Sequence, residues 1–134
     1  MKIKSEQEML DCGKAIALEM DGVIELIGDV GVGKTTFVRG LAEGLGIKEP
    51  ITSPSFTISK SYACPDGRTL VHYDFYRLQE PGLMSEDLSE NLKNKNNIVV
   101  IEWSDTVKDI LPEKHTIISI KYNDDNTREL EIIK

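Results

Sequence analysis

The chain has 134 residues, a formal net charge of −7 at pH 7 and a sequence pI near 4.8. Its length, with 40% hydrophobic and 29% charged residues, predicts one globular domain spanning residues 1–134. Because the chain is acidic and has no basic stripe, direct binding of nucleic acid is not expected, and if the chain serves RNA it should do so through a protein partner.

Targeting and redox signals are weak. No apolar run approaches the ~20 residues that span a bilayer, and the first residues lack the apolar core of a signal peptide. We therefore expect a cytoplasmic protein without membrane contact.

Cys12 and Cys64 form no C-x-x-C motif and are expected to be buried thiols, not metal or redox ligands.

The first predicted elements are a helix over 5–20 and a strand over 23–27. Ser5 is a candidate N-cap, and Glu8 three residues later completes a capping box. The apolar face of this helix is expected to pack on a sheet. The strand leads directly into a glycine-rich segment.

Residues 28–35, Gly-Asp-Val-Gly-Val-Gly-Lys-Thr, match the phosphate-binding motif G-x-x-x-x-G-K-[ST] between this strand and a helical pattern over 36–45. Glycines let backbone N–H groups approach an anion, and a helix N-terminus favours negative charge. The segment predicts a nucleoside triphosphate site with Mg²⁺, in which Lys34 reaches the β- and γ-phosphates and Thr35 coordinates the metal. The alternative is a glycine turn that binds nothing. The predicted nucleotide contacts are Asp29, Gly31, Val32, Gly33, Lys34, Thr35 and Thr36.

A hydroxyl-rich segment follows at residues 52–57, with Ser53 and Ser55 on either side of Pro54. Its composition is typical of a polar turn. Its position after the first nucleotide-binding elements also suits a switch-like loop that senses the γ-phosphate and its metal.

Two strands, over 56–63 and 68–76, are predicted to form a hairpin through the turn at 64–67. Alternation places His72, Asp74 and Tyr76 on one face of the second strand. Asp74, near the end of that strand, is therefore a candidate site residue. The alternative is that this polar face is simply exposed to solvent.

A short acidic helix is predicted over 80–92, followed by the β-branched run 98–101 and then Glu102 and Trp103. Such a run predicts a strand buried on both faces in a parallel sheet. Ligands bind at the carboxyl ends of parallel strands, so Glu102 fits a Walker B carboxylate that holds Mg²⁺ directly or through water. Trp103 could belong to the core, line the nucleotide site or contact a partner.

The last predicted elements are a short helix over 104–111 and a closing hairpin formed by 116–122 and 128–133. Together the elements predict an α/β fold: a three-layer P-loop NTPase with a mixed, mainly parallel central sheet and antiparallel hairpins.

These motifs together resemble the TsaE (YjeE) family, the small P-loop ATPase of bacterial tRNA threonylcarbamoyladenosine biosynthesis. The resemblance covers about 9–120 and rests on G-D-x-G-x-G-K-T-T-F at 28–37, S-P-[ST]-F at 53–56, H-x-D-x-Y-R at 72–77 and E-W at 102–103. It implies that Thr35 and Glu102 hold the metal, that Asp74 takes part in catalysis or coupling, and that Trp103 lies near the nucleotide. It also implies action alongside TsaD and TsaB, with tRNA met only indirectly.

The chain departs from the family pattern at three places. Ser55 stands where threonine is usual, Ser104 stands where proline commonly follows E-W, and 83–92 lacks the usual glycine-containing pattern. The first change keeps the hydroxyl, and the last one concerns contacts with a partner more than chemistry.

The resulting hypothesis is a partner-activated ATPase with Lys34, Asp74 and Glu102 as catalytic residues. In P-loop NTPases an arginine often stabilises the charge of the transition state. This chain has only four arginines, and only Arg77 lies in a site motif. We therefore expect slow turnover of the chain alone. The alternatives are a P-loop small-molecule kinase and a nucleotide-gated binding module. The sequence leaves the oligomeric state and the partner surface open. The arginines are Arg39, Arg68, Arg77 and Arg128.

Overall fold

The structure is a computed structural model that describes residues 1–20, 22–29, 31–52, 54, 59–76 and 82–133. Along the chain its elements are β1 (Lys2–Ile3), α1 (Glu6–Ala17), β2 (Gly22–Ile27), α2 (Lys34–Gly44), β3 (Ser59–Ala63), β4 (Thr69–Asp74), α3 (Leu83–Lys93), β5 (Asn97–Glu102), two 3₁₀ turns (Ser104–Thr106 and Lys108–Ile110), β6 (Thr116–Tyr122) and β7 (Arg128–Ile133).

All the strands join one sheet in the order β1-β7-β6-β2-β5-β4-β3. The four central strands β6, β2, β5 and β4 run parallel, while β1, β7 and β3 pair antiparallel at the two ends. This confirms the predicted mixed sheet with antiparallel hairpins. Every residue of β5 is buried, as the β-branched run predicts for a strand covered on both faces.

Helices cover the two faces of the sheet unequally. On one face α1 and α2 pack against β2, β5 and β6, and the core there includes Phe37, Leu41 and Ile118. The two helices approach closely at Gly40, where an added Cβ would lie only 2.2 Å from the carbonyl oxygen of Leu10. On the other face a smaller core surrounds Tyr73 and lies under α3 and the 3₁₀ turns.

Most predicted elements are present within the described ranges, with shifted ends. The Ser5 hydroxyl accepts a hydrogen bond from the Glu8 N–H at 3.1 Å and caps α1. The Glu8 carboxylate accepts from the Lys4 N–H at 3.3 Å, so the capping box closes one residue earlier than expected. The strand predicted to reach Tyr76 ends at Asp74, because the Asp74 carboxylate accepts the Tyr76 N–H at 2.9 Å and turns the chain.

Two predictions about local structure were wrong or incomplete. Residues 104–111 form two 3₁₀ turns instead of one helix, because Trp103 has a left-handed φ of 54° and Val107 interrupts helical geometry with a φ of −125°. The two-residue strand β1 was not predicted, since it is too short to show a pattern. The loop with Ser53 and Ser55 lies outside the described residues, as do the predicted starts of β3 and α3.

None of the helices in the described part of the chain combines the length and the apolar composition that a membrane span requires.

Candidate functional site

The centre of the site is the loop of residues 28–33 between β2 and α2, called here the glycine loop. Gly31 and Gly33 have φ values of +80° and +114°, which side-chain-bearing residues rarely adopt. Gly33 caps α2 without a side chain, and the first turn of α2 holds no acidic residue. The first N–H groups of α2 therefore have no helical partner and no internal carboxylate, which is the arrangement that binds anions.

Lys34, the first residue of α2, is buried beside Glu102 at the carboxyl end of β5. Its Nζ lies 3.6 Å from Glu102 Oε1, and the two side chains are only 7% and 4% exposed. The glycine loop and the predicted Walker B carboxylate are thus neighbours. This proximity arises because β2 and β5 are adjacent parallel strands, so their carboxyl ends meet at one edge of the sheet.

Asp74 ends β4, directly across from Glu102 in the parallel pairing of β4 with β5. Burial raises the pKa of Asp74, and the neighbouring charge of Glu102 raises it further. The Tyr76 N–H and the charges of His72 and Lys34 act in the opposite direction without cancelling the rise. Asp74 therefore holds its proton more tightly than an ordinary aspartate.

His72 belongs to the site, although the sequence did not assign it a role. It is fully buried, so the alternative of a solvent-exposed polar face does not hold at this residue, although Tyr76 on the same face is 41% exposed. Its Nε2 lies 2.5 Å from Glu102 Oε2, so the tautomer with a proton on Nε2 donates to that carboxylate oxygen. Among the described residues, its Nδ1 has no hydrogen-bond partner.

Trp103 lies against Lys34, with the Lys34 Nζ 4.1 Å from the ring centroid. The Tyr76 ring meets the same indole at 4.7 Å between centroids. Trp103 also packs on the smaller core around Tyr73. The sequence left three roles open for Trp103: core, nucleotide site or partner contact. In the structure Trp103 lies at the edge of the core and also contacts Lys34 of the candidate site.

A cavity of about 320 Å³ adjoins the glycine loop on the side of α1. Its wall contains Gly31, Gly33 and Thr36, together with Arg128 from β7. The Arg128 Nε donates to the Val32 carbonyl oxygen at 3.1 Å, and the guanidinium lies 4.2 Å from the centroid of the Tyr122 ring. No motif pointed to Arg128. It reaches the loop because β7 folds back beside β6, next to β2.

The remaining predicted residues lie where the sequence placed them along the loop and helix. Asp29 is exposed at the beginning of the glycine loop, and Thr35 and Thr36 are half-buried in the first turn of α2. Arg77 lies outside the described residues. The predicted residues that the structure brings to this edge of the sheet are Asp29, Gly31, Val32, Gly33, Lys34, Thr35, Thr36, Asp74, Glu102 and Trp103.

Fold and site together define an α/β protein in which a glycine loop and a helix N-terminus face two carboxylates at the carboxyl edge of parallel strands. The model of the family described as "Threonylcarbamoyl adenosine biosynthesis protein TsaE" matches residues 3–130. A crystal structure of Bacillus subtilis YdiB superposes with a TM-score of 0.78 at 32% identity, covering 97% of this chain and 80% of that one.

Curated relatives carry the same family description. The tRNA threonylcarbamoyladenosine biosynthesis protein TsaE of Haemophilus influenzae is 35% identical over 138 residues, covering 98% of this chain and 86% of its own. Its namesake from Treponema pallidum is 38% identical over 132 residues and covers 96% of both chains. The namesake from Bacillus subtilis is 41% identical over 110 residues, 81% of this chain and 66% of its own. The chain belongs to the TsaE family.

Proposed function

We propose that this chain binds ATP with Mg²⁺ and hydrolyses it, slowly alone and faster when partner proteins dock, as part of tRNA threonylcarbamoyladenosine biosynthesis in the cytoplasm. The partners would be proteins like TsaD and TsaB. The observation that carries the proposal is the contact between Lys34 Nζ and Glu102 Oε1 at 3.6 Å, beside a helix N-terminus without a side-chain cap.

The residues present fit a magnesium ion held together with phosphate oxygens. Thr35 offers a hydroxyl and Glu102 a carboxylate, the oxygen donors that Mg²⁺ prefers. Among the described residues, no group of three or more His, Cys, Asp or Glu side chains could hold a metal alone. A site of one hydroxyl and one carboxylate suits Mg²⁺, which usually takes its remaining ligands from phosphates and water. When bound, the ion would neutralise negative charge on the reacting phosphate.

Two side chains of the chain itself have distinct tasks in this proposal. Lys34 would bind the β- and γ-phosphates, and its burial keeps its charge from being screened by water. Asp74 would accept a proton from the attacking water. Its raised pKa makes it a better base than an ordinary aspartate.

Partner activation is supported by the contacts of the described arginines, which lie away from the two carboxylates of the site. The Arg128 Nε is bonded to the Val32 carbonyl oxygen, on the cavity side of the glycine loop. Arg39 pairs with Glu6 at 3.9 Å, and Arg68 pairs with Asp66 at 2.7 Å. Within the described residues no arginine contacts Asp74 or Glu102. A cation supplied by a partner at this place would be worth ~10³–10⁵ in rate.

The test is a phosphate-release assay with the purified chain, with and without Mg²⁺, comparing wild type with Lys34→Ala. The matched control is Lys14→Ala, since Lys14 is exposed and pairs with Glu43 on the surface. We expect Mg²⁺-dependent release that Lys34→Ala abolishes and Lys14→Ala leaves unchanged. Equal rates for the two variants would overturn the proposal.

A second arm separates hydrolysis from phosphoryl transfer. With γ-labelled ATP and a mixture of metabolites, an ATPase leaves the label only in inorganic phosphate, whereas a kinase leaves it on an acceptor. Adding the partner proteins should raise the rate. A rate equal to that of the chain alone at saturating ATP would remove partner activation from the proposal.

A further inference from the structure

A buried polar cluster outside the predicted site surrounds Glu25, in the middle of β2. Glu25 is 4% exposed. Its Oε2 accepts a hydrogen bond from the Ser104 hydroxyl, and its Oε1 lies 2.9 Å from His115 Nε2. Lys108 adds a weaker charge contact, with Nζ 3.8 Å from Oε2. None of these residues belongs to a motif that the sequence analysis assigned to chemistry.

The geometry of this cluster anchors the chain and does not suit nucleophilic catalysis. The Ser104 hydroxyl and the His115 ring both contact the carboxylate and have no hydrogen bond to each other, so the histidine is not placed to activate the serine. His115 Nδ1 lies 2.7 Å from the Pro112 carbonyl oxygen, so both ring nitrogens face acceptors. Both bonds form when the ring carries a proton on each nitrogen.

These contacts stabilise the ionised form of Glu25. Burial by itself would raise the pKa of Glu25, but the hydrogen bonds from Ser104 and His115 and the charge of Lys108 outweigh burial and lower it. Glu25 is therefore an ionised acceptor, which makes the bond from Ser104 stronger than one between neutral groups.

Trp103, next to Ser104, has the left-handed backbone angles φ 54° and ψ 56°. That conformation is unfavourable for a residue with a side chain and persists only where the surroundings impose it. On one side Trp103 follows Glu102, the last residue of the fully buried β5. On the other side it precedes Ser104, which is 4% exposed and bonded to Glu25.

We propose that Glu25 is a positioning residue: through Ser104 it holds the Trp103 indole against the Lys34 ammonium. The contact between the ring and the ammonium confines Lys34 to one orientation and shields it from water. The consequence for nucleotide binding rests on the proposed function, whereas the position of the ring does not.

Without this anchor the ring has room to move. Trp103, Ser104 and Glu25 border a cavity of about 530 Å³ that extends to Asp29 at the beginning of the glycine loop. Loss of the Ser104 hydroxyl would free the backbone at Trp103 to leave the left-handed region. The indole would then become more accessible to solvent and leave Lys34.

Trp103 is the chain's single tryptophan, so intrinsic fluorescence reports its position directly. We expect Ser104→Ala to shift the emission to longer wavelength and to raise the acrylamide quenching constant about twofold or more in folded protein without nucleotide. Ser104→Thr keeps the hydroxyl and should stay close to wild type. Glu25→Ala should behave like Ser104→Ala; if it does not fold, Ser104→Ala decides alone.

The control is Ser5→Ala, which removes another hydroxyl bonded to a single partner, at the start of α1. This variant should lose stability but keep the wild-type emission and quenching. Wild-type fluorescence in folded Ser104→Ala would overturn the positioning role. A change of equal size in Ser5→Ala would also overturn it, because general loosening would then explain the effect.

An activity arm separates this inference from the proposed function. If wild type hydrolyses ATP, Ser104→Ala should raise KM several-fold and change kcat less, since the ring no longer confines Lys34 while Lys34 keeps its pair with Glu102. Altered fluorescence in Ser104→Ala together with no hydrolysis by wild type would overturn the ATPase proposal and leave the positioning role standing. Hydrolysis by wild type with unchanged Ser104→Ala fluorescence would overturn the positioning role alone.

Discussion

Replacing Glu102 with glutamine tests whether the buried pair with Lys34 organises the site. The two side chains are 7% and 4% exposed, with 3.6 Å between Lys34 Nζ and Glu102 Oε1. Glutamine keeps the volume and retains an oxygen that accepts from His72 Nε2. The substitution therefore removes the charge with little change in packing.

The expected loss in the free energy of unfolding follows from the distance between Lys34 Nζ and Glu102 Oε1. At an effective dielectric constant of about 20, two unit charges 3.6 Å apart attract by about 4.6 kcal/mol. Asp74 lies beside Glu102 and also feels the charge of Lys34, so it replaces part of the lost attraction. We expect a net loss of about 2–3 kcal/mol in the free energy of unfolding. With an unfolding entropy of about 0.28 kcal/mol/K for 134 residues, Tm should fall by about 7–11 °C.

The assay is differential scanning calorimetry at neutral pH without nucleotide, with Glu43→Gln as the matched control. Glu43 pairs with Lys14 at a shorter 3.2 Å, but those side chains are 59% and 55% exposed. Such a surface pair contributes about 0–1 kcal/mol, so the control should lower Tm by about 4 °C or less. A Glu102→Gln shift no larger than that of the control, or an increase in Tm, would refute the reasoning.

Three further predictions concern other parts of the site and its surroundings. Asp74→Asn should lower hydrolysis by ~10²–10⁴ yet raise Tm at neutral pH, because the raised pKa of Asp74 means that its charge is unfavourable in the folded protein. In calorimetry, that gain should shrink as pH falls toward about 3.9, and a constant gain would contradict the assignment. Arg128→Ala should weaken nucleotide binding about tenfold by releasing the Val32 carbonyl, measured by calorimetric titration; unchanged affinity would exclude a role for this contact. Glu25→Gln should lower Tm, and this decrease should be largest above about pH 4.3. The difference in Tm from wild type should become smaller as pH falls further, because the pKa of Glu25 is lowered in the folded protein. A difference that persists in acid would contradict the ionised state of Glu25.

Much of this site could be read from the sequence because its signals are local. The glycine loop is defined by eight consecutive residues at 28–35, and the strand and helix around it follow from their own periodicity. The run at 98–101 predicted a doubly buried strand, and the fully buried β5 confirms this. Turn chemistry likewise placed the hairpin at 64–67, where the Gly67 N–H donates to the Cys64 carbonyl oxygen at 3.1 Å.

The residues that the sequence missed all act across long separations along the chain. His72 meets Glu102 because β4 and β5 are paired in register, and Arg128 meets Val32 because β7 folds back along β6. No pattern within a few residues encodes which strands become neighbours, since sheet order depends on how whole helices and strands pack.

The region after β5 shows the same division. The pattern at 104–111 predicted a helix, but the chain forms 3₁₀ turns because Trp103 is left-handed and Ser104 is bonded to Glu25, 79 residues earlier. By itself, the sequence determined which segment matches the phosphate-binding motif and which strand ends in a carboxylate. Only the tertiary structure decided which side chains surround Lys34. Those side chains come from segments that are far apart in the sequence and become neighbours only when the sheet assembles.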